Sequence, residues 1–181
     1  MNLNYYYKFY NWFKTGRLVC WGVNLARYMG IRHLLVRMDT NFMCNLRCKT
    51  CFFSNPNTKN YLITPMKLDL FKVIAKSVFS KTRILYLSCM AEPLMTKNFD
   101  EFLDVVGQYS VPYVGYVTNG LLFTEKVIQS SIVNKVSEIT ISIDGATKKT
   151  YEHIRTGGDF NKLLSKLELY KSMVSKIQGQ R

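Results

Sequence analysis

Three cysteines, Cys44, Cys48 and Cys51, fall within one short segment at a C-x3-C-x2-C spacing, Cys44-Asn45-Leu46-Arg47-Cys48-Lys49-Thr50-Cys51. An apolar run from Leu34 to Met38 precedes them and reads as a buried strand, which places the cysteines in the loop at its carboxyl end. Thiolates this close in sequence can converge on one metal centre without a long-range fold to assemble them. The count matters. A structural zinc or an ordinary cubane cluster takes four protein ligands, so three leave one position open to an exogenous ligand. An open iron on a cluster is a site for chemistry.

Two plainer readings stand beside this one. A disulfide is disfavoured: five cysteines is an odd number, and Met1 to Phe13 has no basic stub followed by an apolar signal core. A reducing, cytoplasmic setting is therefore expected. A zinc site could be completed by Cys20, Cys89, His33 or His153, but no spacing selects among them. Cys20 reads as a small buried hydrophobe, and both histidines as packing or surface residues. Cys89 is expected near the site or in packing.

At 181 residues the chain has the size of one domain with a real core. No apolar stretch reaches bilayer-spanning length. The formal net charge of +13 favours acidic partners. The excess is uneven: residues 1–50 hold Lys8, Lys14, Arg17, Arg27, Arg32, Arg37, Arg47 and Lys49 against the single acid Asp39. That stretch is also rich in Tyr, Phe and Trp. Contact with a membrane surface, RNA or an anionic carrier remains open on this composition, but a solvated basic face whose aromatics pack on the core is the expectation.

Residues 1–30 read as a helical extension of two short helices. Tyr5, Phe9, Trp12 and Phe13 form one stripe, Gly16 interrupts, Leu18, Gly22, Leu25 and Met29 continue, and Gly30 closes. Residues 31–181 then alternate strand and helix. Thr64-Pro65 gives a helix start before the face Phe71, Ile74, Ala75 and Val78. A strand over 84–87 leads to Glu92-Pro93, and Asn98 with Glu101 resembles a capping box before Phe99, Phe102, Leu103 and Val106. A third strand over 113–117 runs into Thr118-Asn119-Gly120 and a helix capped by Thr124. A fourth over 139–143 runs into Asp144-Gly145, a helix over about 147–155, and a longer helix capped by Asp159 with the face Phe160, Leu163, Leu164 and Leu167. Short links between alternating elements predict consecutive parallel strands with right-handed crossovers. The site then lies beyond the strands' carboxyl ends, where all four suggestive loops fall.

Four segments in order carry a family resemblance: Thr40-Asn41-Phe42-Met43-Cys44-Asn45-Leu46-Arg47-Cys48, Ala91-Glu92-Pro93-Leu94, Val117-Thr118-Asn119-Gly120-Leu121, and Ile141-Ser142-Ile143-Asp144-Gly145-Ala146 through Tyr151-Glu152 to Ile154-Arg155 and Gly157-Gly158. The chain resembles the N-terminal part of a radical S-adenosylmethionine (SAM) enzyme core, most like members with a C-terminal auxiliary-cluster (SPASM-type) extension. The resemblance implies an α/β fold, a partial (β/α) TIM-like barrel with about four parallel βα units of an expected six. It implies a [4Fe–4S] cluster on Cys44, Cys48 and Cys51 and reductive cleavage of SAM to a 5′-deoxyadenosyl radical. Glu92 and its loop would meet the SAM amino group, largely through backbone. Ser142 and Asp144 would lie near the ribose, Arg155 would pair with the carboxylate, and Asn119 is a further rim residue. No catalytic side chain is assigned. The implied partners are an unidentified substrate, an electron donor such as a flavodoxin or ferredoxin, and a missing C-terminal half or partner chain. The alternative is a truncated, non-catalytic cluster-binding module.

The sequence departs from the family pattern in three places. Thr50 stands where an aromatic usually precedes the third cysteine, with Phe52 and Phe53 just after. Cys89 and Ala91 replace glycines common in the second loop, where glycine lets backbone approach a ligand. After Arg155 there is room for one further helix, so the core is expected to be incomplete.

Overall fold

A computed structural model describes residues 17–55 and 64–178; the stripe from Tyr5 to Phe13 lies outside them. Helix α1 (Arg17–Tyr28) is followed by four βα units. These are β1 (Leu34–Arg37) and α2 (Leu68–Val78), β2 (Thr82–Tyr86) and α3 (Phe99–Gly107), β3 (Tyr113–Thr118) and α4 (Glu125–Val133), then β4 (Glu138–Ile141) with α5 (Lys148–Ile154) and α6 (Phe160–Gln178). The strands form one sheet in the order β1-β2-β3-β4, every neighbouring pair parallel. This is the expected α/β fold: a four-strand arc of a (β/α) barrel.

Strand residues alternate between two faces. On the outer face, Leu85, Leu87, Val114 and Tyr116 pack under the helices. Their partners include Phe71, Phe79, Phe99, Phe102, Phe123 and Ile128, with the Phe71 ring centroid 4.8 Å from that of Phe102 and 5.5 Å, edge-on, from that of Phe79. The inner face is open. A row of paired positions crosses it, Arg37 to Tyr86 to Gly115 to Glu138. Gly115 permits this row, because a Cβ there would stand 2.9 Å from the Tyr86 ring. The Tyr86 hydroxyl consequently reaches across β3 to Glu138 Oε2 at 3.3 Å, while the Arg37 guanidinium lies 5.1 Å from the Tyr86 ring centroid.

Several element boundaries differ from the sequence reading. α2 starts at Leu68 with Lys67 as its uncapped first flank. The Thr64-Pro65 segment stays extended because Met66 N donates to Thr40 O at 3.0 Å, which ties it to the cysteine loop. Asn98 is no side-chain cap: it takes a left-handed conformation (φ 54°), and its amide donates to Glu101 Oε1 at 2.7 Å. β2 begins at Thr82, two residues early. β4 ends at Ile141, although Ser142 N still donates to Thr118 O at 2.9 Å. Thr124 caps α4 through Val127 N as expected, and Asp159 Oδ1 accepts from Lys162 N at 3.0 Å at the start of α6.

α1 ends as Gly30 predicts. Ile31 N donates to Ala26 O at 2.8 Å with Gly30 at φ 67°, a glycine-dependent helix stop. The expectation that the basic N-terminal region packs its aromatics on the core fails for the described part, since Trp21 and Tyr28 are exposed. Cys20 is exposed rather than buried, because α1 does not lie over the sheet's apolar face.

Candidate functional site: a cysteine-lined cavity on the strand rim

The loop after β1 is tied to its neighbour before any ligand is considered. Asp39, at the end of β1, accepts three successive backbone N–H groups from the next strand's loop: Cys89 at 2.7 Å, Met90 at 3.1 Å and Ala91 at 3.3 Å. Asn41 donates to Glu92 O at 2.9 Å and to Thr96 Oγ1 at 2.7 Å, and its own Oδ1 accepts from Met43 N at 2.7 Å. Thr40 shares a 2.6 Å hydrogen bond with Thr96, and Glu92 N donates to Met43 O at 2.9 Å. Buried polar groups need such partners. Here they hold the first two loops as one unit.

The cysteine loop is pinned on its other side by the turn after α5. Arg47 N donates to Thr156 O and Lys49 N to Ile154 O, both at 2.9 Å. Leu46, between the first two cysteines, is buried with Leu121, Tyr151 and Leu163, and Cys44 and Cys48 pack against that cluster. Close approach requires glycine at two points. A Cβ on Gly145 would lie 2.6 Å from Tyr151 N, and one on Gly158 would lie 2.8 Å from the Tyr151 ring. The docked turn delivers Arg155 to the cysteines, with Nη1 3.9 Å from Cys48 Sγ.

The result is a cavity of about 400 Å³ at the carboxyl ends of the strands. Its walls include Cys44, Cys48, Cys51, Cys89, Glu92, Asn119, Ser142 and Arg155, with Arg37, Tyr86 and Glu138 deeper on the inner face. Of the residues that the sequence places at this site, all but Asp144 line it. Asp144, at φ 57°, instead accepts from Arg155 Nη2 at 2.5 Å.

Glu92 and Asn119 touch the cavity but spend their side chains on structure. The Glu92 carboxylate, 4% exposed, accepts from Thr118 Oγ1 at 2.5 Å, Asn119 N at 2.7 Å and Leu94 N at 3.2 Å. Burial pushes its carboxyl above the ordinary range, against the pull of those three donors. Asn119 donates to Asn45 Oδ1 at 2.8 Å and accepts from Leu121 N at 3.0 Å, so it locks the third loop to the cysteine loop. Ser142 is held by its backbone and lines the cavity.

The donor set suits an iron–sulfur cluster. Burial pushes the Cys44 and Cys48 thiols up, whereas Leu46 N, 3.4 Å from Cys44 Sγ, and Arg155 near Cys48 favour thiolates. Among the described residues no three His, Cys, Asp or Glu side chains close on a point as a single metal ion requires. Arg155 Nε is buried without a hydrogen-bond partner, an unspent donor beside the cysteine loop.

The sequence assigned no role to Asp39, Thr40, Asn41 or Thr96, although Thr40 and Asn41 open the first resemblance segment and Asp39 is the lone acid of the first fifty residues.

Comparisons with known proteins bear on the family and the fold. The family model described as the radical SAM superfamily matches residues 40–177. A GTP 3′,8-cyclase of Synechocystis sp. is 25% identical over 152 residues, covering 82% of this chain and 45% of that protein. A GTP 3′,8-cyclase of Alkaliphilus oremlandii is 26% identical over 137 residues, covering 71% and 40%. The chain thus spans less than half the length of these curated relatives. Among solved structures, native anSMEcpe with bound AdoMet superposes with a TM-score of 0.61 at 22% identity, over 77% of this chain and 41% of that one. SuiB from Streptococcus suis, bound to the precursor peptide SuiA, gives 0.60 at 15% identity over 83% and 33%. With the family model covering most of its length, the chain belongs to the radical SAM superfamily, whose cofactors are SAM and a [4Fe–4S] cluster.

Proposed function

We propose that Cys44, Cys48 and Cys51 hold a [4Fe–4S] cluster and that SAM binds its open iron in the 400 Å³ cavity, where it is cleaved reductively to initiate hydrogen abstraction. The observation that carries this is the meeting of all three cysteines with Arg155 on one cavity wall. When bound, the cluster supplies the low-potential electron that splits the sulfonium, at a range set by chelation.

The chain's own residues bind and orient. The Arg155 fork is shaped for a carboxylate, with Nε still unpartnered and Asp144 holding Nη2 in place. In the Cys89–Ala91 loop the N–H groups are spent on Asp39, so carbonyls remain to meet an ammonium. Glu92 acts as the bolt of that loop rather than as a side-chain ligand. Ser142, which lines the cavity, is read as a partner for a ribose hydroxyl, and Asn119 keeps the third loop closed on the cysteine loop. The apolar cluster of Leu46, Leu121, Tyr151 and Leu163 shields the cysteines from behind, which protects reactive species from water.

An external one-electron donor of flavodoxin or ferredoxin type is part of the reading, and the net charge of +13 favours an acidic one. The relatives' names point to different substrates, GTP for the cyclases and peptides for two structural neighbours; what the reading shares with them is SAM chemistry. Its test is anaerobic incubation of the cluster-loaded chain with SAM and dithionite, followed by chromatography for 5′-deoxyadenosine. The expected result is product from wild type and none from Cys48→Ala. A loaded chain that makes no 5′-deoxyadenosine would instead support a cluster-binding module. One observation favours that second reading: Cys89 and Ala91 stand in the second loop, where glycine would let backbone approach a ligand.

A further inference from the structure

The inner face of the sheet carries a set of charged and aromatic groups that SAM cleavage leaves unused. Tyr86, Tyr113 and Glu138 form its fixed part. Glu138 Oε2 accepts from the Tyr86 hydroxyl at 3.3 Å and from the Tyr113 hydroxyl, and Oε1 accepts from Thr140 Oγ1 at 2.5 Å. Those hydroxyls, Thr140 foremost, hold the carboxyl below the ordinary carboxylate range. The two tyrosine rings brace each other with centroids 6.0 Å apart. Glu138 is thus a negative charge set in place before any ligand arrives.

Arg37 stands at the other end of the same tyrosine. Its guanidinium lies 5.1 Å from the Tyr86 ring centroid, and among the described residues it makes no hydrogen bond or ion pair. Its whole fork of N–H donors is left over. Gly115, between Tyr86 and Glu138 in the paired row, contributes only backbone. Val117, the next position on that face of β3, is 39% exposed. Arg37, Tyr86, Val117 and Glu138 all line the cavity that the cysteines line. An apolar strip between a few placed polar groups is the pattern of a small-molecule site.

Depth separates this row from the rim. Glu138 lies four residues before Ser142 on the same face, so at the strand rise the row sits about 13 Å below Ser142. The amino-acid part of SAM is read at the rim, on the open iron and Arg155, and the charges of the row remain for another molecule.

We propose that Arg37, Tyr86 and Glu138 form a substrate subsite for a dipolar molecule, with an ammonium on Glu138, a carboxylate or phosphate on Arg37, and a carbon chain along Tyr86 between them. That this molecule is the substrate rests on the reading that SAM is cleaved at the rim. A ligand with one charge fits worse, because it leaves either the carboxylate or the guanidinium unpaired. The ammonium and carboxylate of a simple α-amino acid stand too close together to reach both ends of a tyrosine side chain. A longer chain, held at its two ends, would turn its middle carbons toward the rim where the radical forms.

The test uses the whole chain as purified, with no SAM added, and saturation-transfer NMR, which detects weak binding. The probes are 6-aminohexanoate and 5-aminopentyl phosphate, with hexanoate and hexylamine as one-charge controls. The dipolar probes should bind about tenfold more tightly than either control, the worth of one further charged contact, and their order names the anion. Arg37→Gln and Glu138→Gln should each abolish that advantage with circular dichroism unchanged. Wild type that holds the dipolar probes no better than the controls overturns the proposal without any variant. So does an advantage that survives both substitutions. In the cluster-loaded chain, saturating SAM should leave the bound probe in place; displacement would assign the row to SAM and overturn the proposal. A chain that binds the dipolar probes yet makes no 5′-deoxyadenosine would keep the subsite and sink the cleavage reading instead.

Discussion

Asp39 carries more of the site than any residue except the cysteines. Its carboxylate takes three consecutive N–H groups of the loop that follows β2, and charge-assisted hydrogen bonds are the stronger kind. Asp39→Asn places an amide NH2 against Met90 N–H, so the loop should lose its set. The expected outcome is SAM affinity about tenfold weaker or worse, following the usual cost of a lost hydrogen bond to a charged group. Binding of 5′-methylthioadenosine, which lacks the amino-acid part, should change little, as measured by calorimetry on both ligands. In the proposed reading Arg155 acts differently, on the ligand itself. Arg155→Met should leave iron and sulfide content near the wild-type level while weakening SAM binding by about tenfold or more, the range for losing a bidentate carboxylate pair. Equal SAM affinity in wild type and Arg155→Met would remove Arg155 from the site.

At the scale of elements, the cysteine loop is shaped by what docks against it. The turn after α5 reaches it through Arg47 N and Lys49 N, and that approach needs glycine. Gly158→Ala would put a Cβ 2.9 Å from Arg155 O and 2.8 Å from the Tyr151 ring. It should cost about 1–3 kcal/mol of stability, as overpacking does, and lower the cluster occupancy, read by thermal unfolding and iron analysis. Gly145→Ala, against the Tyr151 backbone, should destabilise comparably. The strand–loop–helix order, the parallel sheet and the four rim loops were legible in the sequence because apolar period and turn residues are local signals. The stitching was not. Thr40, Asn41 and Thr96 look like ordinary turn residues, and their partners lie more than fifty positions away. The same tertiary bonds explain why α2 begins at Leu68: Met66 N is held by Thr40 O, so Thr64-Pro65 cannot start the helix. The Asp144–Arg155 pair, eleven positions apart, was hidden differently, because it depends on a left-handed Asp144 that aims at a residue in the turn after α5.

At the scale of the whole molecule, the chain is a four-strand arc with an open inner face. It divides into a cysteine-bearing rim, a wall of Arg37, Tyr86 and Glu138 beneath it, and α1 at the opposite end. Gly115 is what lets that wall exist. The central claim concerns the rim: three cysteines hold a cluster with one iron open to SAM. The most direct measurement is anaerobic reconstitution with iron and sulfide, followed by EPR of the reduced protein with and without SAM. The account predicts a [4Fe–4S]+ signal that shifts when SAM is added and is absent from Cys48→Ser. A signal indifferent to SAM, or wild type that takes up no more cluster than Cys48→Ser, would contradict it.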